Sequence, residues 1–293
     1  MIRKTANDTV RLGSIMGKLR DLCRRTTRNR LSKAGLTMIF LSVAATLLGP
    51  VLISHDPYDM SVRDCYGPPS FAHTLGTDGY GRDLLSRILH GGRISLLVGF
   101  SVMCFTAVVG TPLGLLAGYY PKMDAPIMRI MDALMAFPAI LLALALMTAL
   151  GPSLTNTIIA LGIVYTPRVA RTVRASVLSL KRVEFVEAAQ AQGATDMRIL
   201  LQHILPNCLS PLVVQETFIF AYAILAEASL SFVGAGVPPP RPSWGNILSD
   251  GRVCMREAPW ITIFPGLAVA LTVLGLNLLG DGVRDSLDPR MKM

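Results

Sequence analysis

The chain has 293 residues, 52% of them hydrophobic and 16% charged, with a formal net charge of +9. A soluble domain carries about 25% charged residues, so this composition excludes an ordinary soluble protein and points to a polytopic membrane protein. The basic excess is clustered, with ten Lys and Arg before Ala34 against two acids, Asp8 and Asp21. Beside a first apolar run, such a flank predicts a cytoplasmic N-terminus in contact with anionic lipid. It argues against nucleic acid as a partner, because the basic residues do not interleave with exposed aromatics.

In chain order, residues 1–33 form this basic segment. The apolar run after it, 34–53, is longer than the 7–15-residue core of a cleaved signal, so a retained first span is expected. Crossing the hydrocarbon core takes about 20 apolar residues. Runs of that kind also occupy 94–119, 127–150, 208–230 and 261–279. A sixth, 154–169, is marginal because it meets Pro167 and Arg168 early. It is counted as a span on the expectation that Arg168 snorkels to the interface. The expected fold is all-α and polytopic, with six transmembrane helices and both termini in the cytoplasm. Segment 168–206 then falls inside with six basic residues, as the positive-inside rule wants. Segment 54–93 falls outside with four basic and five acidic residues, and there Arg82, Arg87 and Arg93 run against the rule.

Residues 81–90 are amphipathic. Leu84, Leu85, Ile88 and Leu89 share one helical face, which predicts a helix lying flat on the membrane surface. Gly99, Gly110, Gly114, Ala117 and Gly118 are small residues that let helix backbones approach, and Gly114 and Gly118 have GxxxG spacing. Loop 231–260 contains Pro238, Pro239, Pro240 and Pro242 and is expected to be extended and stiff. Both tryptophans, Trp244 and Trp260, belong to it, and an interfacial aromatic belt is the favoured reading for them. Five cysteines stand far apart: Cys23, Cys65, Cys104, Cys208 and Cys254. None forms a CxxC pair, so no zinc or redox motif is supported. Cys65 and Cys254 fall on the same side, where unpaired thiols are favoured over a disulfide.

Polar residues inside apolar runs are expensive and count as functional candidates. They are Asp132, Glu216, Glu227 and Asn277. Structural roles are weighted above pathway roles for the acids. Arg129, three residues before Asp132, is placed to pair with it on one helical face, and Asn277 is expected to hydrogen-bond between helices. No nucleophile–base pair or metal-ligand set emerges. Residues 13–19 superficially resemble a phosphate loop, but they are one residue short, end in Leu19 and follow no strand. A bound nucleotide is therefore not expected on this chain.

The most telling stretch is a polar interruption, 184–207, between apolar runs. Residues 184–192 are good helix formers. Gly193 suits a helix C-terminus, Thr195 or Asp196 suits the cap of a second helix, and that helix must end before Pro206. The reading is helix, Gly elbow, helix, with Ala188 and Ala189 leaving a bare face and Glu187 a fixed charge. From the residues alone, a docking element and an ordinary solvated linker are equally supported.

Glu187-Ala188-Ala189, then Gly193, then His203, Leu205 and Pro206 have the spacing of the signature loop of ABC importer permeases, which this chain resembles. His203 stands where Ile is commonest. The ending His203-Ile204-Leu205-Pro206-Asn207 resembles the dipeptide, oligopeptide and nickel branch. So do Leu75-Gly76-Thr77-Asp78, Gly81-Arg82-Asp83, Arg93-Ile94-Ser95-Leu96, Glu227-Ala228-Ser229-Leu230, Trp244-Gly245, Asn277-Leu278-Leu279-Gly280-Asp281 and Arg284–Arg290. The resemblance covers roughly residues 70–290 and implies the type I ABC importer permease fold. It divides the chain into a basic segment 1–33, a first helix 34–53, an extracytoplasmic segment 54–93, a five-helix domain 94–280 and a tail 281–293. Within the five-helix domain, loop 173–206 would couple to a partner. Glu184, Glu187, Ala188, Ala189, Gly193, His203, Leu205 and Pro206 would form that coupling element. The implied partners are a second permease, two cytoplasmic ATPase subunits that use ATP and Mg, and an extracytoplasmic solute-binding protein docking near Trp244 and Trp260. The implied cargo is a di- or oligopeptide, with nickel or another small solute as the alternative. A polytopic membrane enzyme or channel is the distant alternative.

Overall fold

The computed structural model describes residues 30–53 and 55–287, and its regular elements are helices. They are α1 (Arg30–Leu52), a single 3-10 turn (Val62–Asp64), α2 (Leu84–Tyr119), α3 (Pro121–Met135), α4 (Ala139–Leu150) and α5 (Leu154–Leu180). There follow α6 (Glu184–Ala191), α7 (Asp196–Ile199), a π turn (Leu200–Ile204), α8 (Leu205–Phe232), α9 (Trp244–Val253) and α10 (Trp260–Leu287). Most of the basic segment, Cys23, residues 13–19 and residues 288–293 lie outside the described residues.

Among the described residues four helical stretches are long and apolar enough to cross a membrane: α1, α2, the continuous Asp196–Phe232 rod and α10. A fifth exists only if α3 and α4 are taken together, and they are bent by 92°. The expected uninterrupted run 127–150 is broken because Pro138 disfavours a helical conformation at the residue before it. The count by length and composition is thus four or five rather than six. The missing one is α5, whose Thr155, Asn156, Thr157, Arg168, Arg171 and Arg174 dilute its apolar content. α5 tolerates them because it is enclosed. Leu161, Val169, Val173 and Val177 are buried against α2 and α8, so it need not be apolar all round.

The α2–α5 seam is the most extensive in the bundle. A Cβ on Gly110, Gly114 or Gly118 would come within 2.7, 2.7 and 2.6 Å of the β-carbons of Val169, Val173 and Val177 respectively. Two i, i+4 rows therefore interlock, and the GxxxG pair of the sequence extends to a third glycine. α1 is peripheral. It touches α10 and α2, and leaves Phe40, Leu41, Leu47, Leu48 and Val51 exposed as a lipid-facing surface. Thr272 Oγ1 bonds Ser42 Oγ across the α1–α10 contact at 2.9 Å.

Segment 81–90 does not form a separate surface helix. From Leu84 onward it is the start of the 36-residue α2. Its charged face is buried along with its apolar one, since Asp83 caps the helix by accepting from Ser86 N at 2.8 Å and Arg82 and Arg87 are enclosed by ion pairs. The three arginines that opposed the positive-inside rule are all used internally. Arg93 donates to Thr46 O and Leu47 O of α1, each at 2.8 Å. Pro50 has no N–H to give Thr46 O, so that carbonyl is open to an outside donor.

The proline loop after α8 turns instead of extending, with a cis Pro239–Pro240 bond. Ala235 N bonds Leu230 O at 2.9 Å and Val237 N bonds Ser231 Oγ at 3.2 Å, which folds the loop back on its helix.

Candidate coupling site

α6 forms from helix-favouring residues with two acids, Glu184 and Glu187, in its first turn, where they complement the helix dipole. It ends in a Schellman arrangement. Ala194 N bonds Ala189 O at 3.0 Å and Gly193 N bonds Gln190 O at 2.9 Å. Gly193 has φ +76°, with nothing within 4 Å of where a Cβ would sit, so glycine is required there by backbone conformation and not by space.

The two faces of α6 are distinct. Val186 and Ala189 point into the main core beside Ile199, Leu200 and Ile204. Glu184, Glu187, Ala188 and Ala191 follow i, i+3, i+4, i+7 spacing on the opposite side, and all four are exposed. The alanine pair of the signature is therefore split. Ala189 seats the helix and Ala188 lies on the presented face, where its small side chain leaves the surface low between two carboxylates. Ala191 belongs to that face too, a residue the signature spacing does not mark but helical periodicity does.

The loop is fixed to the bundle. Tyr119 Oη, at the end of α2, donates to Asp196 Oδ1 at 2.9 Å, and Lys181 Nζ donates to Gly118 O at 3.1 Å. Arg174 holds Asp124 with two bonds of 2.6 Å, tying α5 to α3. His203 is half-buried in the π turn with its ring 6.4 Å from that of Phe185, so it links the turn to α6. Leu205 and Pro206 are half-buried and follow that turn directly. Pro206 has no N–H for Gln202 O and its ring crowds that carbonyl, and the widened turn before it relieves the crowding.

At the opposite end of the bundle Asp78, Arg82, Asp83, Glu227 and Trp244 of the other signature segments are buried. Glu227 is fully enclosed, accepting from Ser95 Oγ at 3.0 Å and Ser231 Oγ at 2.8 Å. Ser95 Oγ in turn accepts from Trp244 N at 3.2 Å, so one acid joins α2, α8 and α9. Asp78 takes Arg82 Nε at 2.7 Å and lies 3.4 Å from Arg87 Nε, and Asp250 lies 3.3 Å from Arg87 and 3.5 Å from Arg82. Partial burial pushes the Asp250 carboxyl above its ordinary value, with both guanidiniums opposing the shift.

Several expectations change. Trp244 is 2% exposed and donates from Nε1 to Ile88 O at 2.9 Å, so it serves neither as a belt residue nor as a docking surface. Trp260 is half-buried and donates to Thr77 O at 3.2 Å. Asp132 pairs with Arg171 of α5 and not with Arg129, because α5 brings a guanidinium across while Arg129 stays on the outer face. Glu216 is buried and takes Thr106 Oγ1 at 2.9 Å, a structural contact between α8 and α2. Asn277 makes no interhelical hydrogen bond among the described residues, and near it the α10–α1 contact is made by Gly275 against Gly35. Cys65 is exposed, Cys254 is buried, and both are free thiols.

Long apolar helices, a buried polar cluster at one end and a charged helix exposed at the other define a multi-pass membrane protein. The chain belongs to the family of binding-protein-dependent transport system inner membrane components, whose profile matches residues 110–293. It is 50% identical over 270 residues to a putative peptide transport system permease protein of Brucella abortus, covering 92% of this chain and 91% of that protein. It is 45% identical to a dipeptide transport system permease protein of Alkalihalophilus pseudofirmus, covering 93% and 90%. Its fold is similar to a chain of the methionine ABC transporter MetNI, solved in an inward-facing conformation. The TM-score is 0.57 at 22% identity, covering 69% of this chain and 97% of that one. The chain is thus a membrane permease component, and ATP hydrolysis falls to a separate subunit.

Proposed function

We propose that this chain is the membrane-spanning permease of an ATP-driven importer of di- or oligopeptides. Its relatives named as peptide and dipeptide permeases support the cargo. The observation that carries the drive mechanism is the exposed Glu184, Glu187, Ala188 and Ala191 face on a helix seated in the core. In this reading α6 docks in a groove of a cytoplasmic ATPase subunit. Glu187 meets a basic residue there, and Ala188 permits close approach. The ties Tyr119–Asp196 and Lys181–Gly118 make the loop a stiff lever, so closure of two ATPase subunits on ATP and Mg is passed to α2 and α5. Alternating access follows as rocking against a second, related permease.

The termini then lie in the cytoplasm, in the bacterial inner membrane, and the Asp78–Arg87 end faces outward to a solute-binding protein. Docking there falls on exposed residues such as Phe71, Val253 and Met255. The reading is tested by reconstituting the complex with its binding protein and measuring ATP-dependent uptake of a labelled dipeptide. Uptake that needs both ATP and the binding protein is the expected result. ATP-dependent uptake of another solute, with none of peptide, would refute the cargo.

A further inference from the structure

Three arginines follow one another along α5, and they are treated differently. Arg171 pairs with Asp132 and Arg174 pairs with Asp124. Arg168 has no carboxylate partner among the described residues. Its guanidinium lies 5.3 Å from the Tyr165 ring centroid and 5.0 Å from that of Tyr222.

Its depth makes this costly. The next residue, Val169, packs on Gly110, nine residues before the end of α2, a rise of about 13 Å. Arg168 does not snorkel outward, as the sequence led one to expect. Side chains on a helix lean towards its N-terminus, and Arg168 lies back over Tyr165, one turn deeper. Tyr165 is itself fixed, its hydroxyl donating to Tyr222 O at 3.4 Å. An unpaired cation held at that depth marks a functional position.

The packing also determines what the cation can still bind. Aromatic rings take up the faces of a guanidinium. The N–H donors lie in its plane, in the fork that matches a carboxylate, and make no hydrogen bond among the described residues. Tyr222 is 41% exposed and its hydroxyl has no partner among the described residues. One turn further along α5, Thr172 Oγ1 donates to Arg168 O at 2.9 Å and lies 3.4 Å from Gln215 Oε1 of α8. Arg168, Tyr222, Thr172 and Gln215 thus form a polar strip between α5 and α8, a poor surface for lipid and a suitable one for a hydrated pathway.

We propose that Arg168 and Tyr222 form a carboxylate-binding site on the transport pathway, and that it takes the terminal carboxylate of the peptide in transit. This rests on the peptide-import reading. Every linear peptide carries one such group whatever its side chains, so a single fixed arginine suits a carrier of varied peptides.

The test uses the full complex in proteoliposomes, with dialanine and its C-terminal amide each supplied at a concentration that saturates the binding protein. The parental complex should import the free acid faster. R168Q should lower free-acid uptake by roughly tenfold or more, the size expected of lost charge-assisted hydrogen bonds. It should leave the amide almost unaffected, so that the acid-to-amide ratio collapses towards one. R168K, which keeps the charge but loses the fork, should fall between the two. An acid-to-amide ratio unchanged in R168Q overturns the proposal. If R168Q does not assemble on size-exclusion, an unchanged ratio in R168K does the same. Loss of assembly together with equal loss of both substrates would assign Arg168 to a carboxylate of the partner permease and also overturn it. Failure of the peptide-import reading would look different, because the parental complex would import neither compound.

Discussion

At the Asp78–Trp244 end of the bundle Asp78, Arg82, Glu227 and Trp244 are buried, whereas at the Glu184–Gly193 end Glu184 and Glu187 are exposed. The difference separates two reasons for a residue to belong to a signature. Glu227 is bonded by serines of α2 and α8, and Asp78, Arg82 and Arg87 form ion pairs within the chain, so they hold the fold. Glu184, Glu187, Ala188 and Ala191 have only Val186 and Ala189 beneath them, so their outward groups remain available to a partner. Substitutions at the first end should therefore cost stability, and substitutions at the second should cost transport while the protein stays folded.

The largest loss is expected for Trp244→Ala. Removing a buried indole and its bond to Ile88 O should destabilise by about 3–5 kcal/mol, read as a clear fall in Tm of the detergent-purified complex. Gly114→Leu comes next. A Cβ there lies 2.5 Å from Ala170 O, so forcing the α2–α5 seam apart should cost on the order of 3 kcal/mol. Ser95→Ala leaves one oxygen of buried Glu227 short of a donor and should cost about 1–2 kcal/mol. A Tm equal to the parent's in that variant would mean Glu227 is not the junction described. Gly193→Ala places a side chain at φ +76° and should cost roughly 1 kcal/mol, with a larger proportional loss of uptake than of Tm. Glu187→Lys should leave Tm unaltered and still abolish coupling, the smallest structural effect of the five.

Much of this was legible in the residues because it is local. The helix and Gly elbow of 184–193 follow from propensity and one glycine, and the small-residue seam follows from i, i+4 spacing. The second helix, expected to end before Pro206, instead runs on into α8, because the π turn at Leu200–Ile204 makes room for the proline ring. What escaped depends on neighbours brought from far along the chain. Segment 81–90 has a true amphipathic pattern, but its charged face is covered by Asp78 and Asp250, the latter more than 160 positions away. Trp244 reads as a belt residue until Ile88 and Ser95 enclose it. Asp132 has a local candidate in Arg129, and the structure selects Arg171 from another helix. α5 fails as an apolar run because its environment is protein on most sides, which hydropathy along the sequence cannot register.

Glu187→Lys in the reconstituted complex tests most directly whether α6 is a presented lever. Uptake of dipeptide and stimulation of ATPase activity by the loaded binding protein are measured together with Tm and subunit stoichiometry. The expected result is a complex with parental Tm that has lost at least about tenfold of its uptake, as reversal of a charge at a docked contact implies. Parental uptake from a Glu187→Lys complex would contradict the assignment of this face to the ATPase.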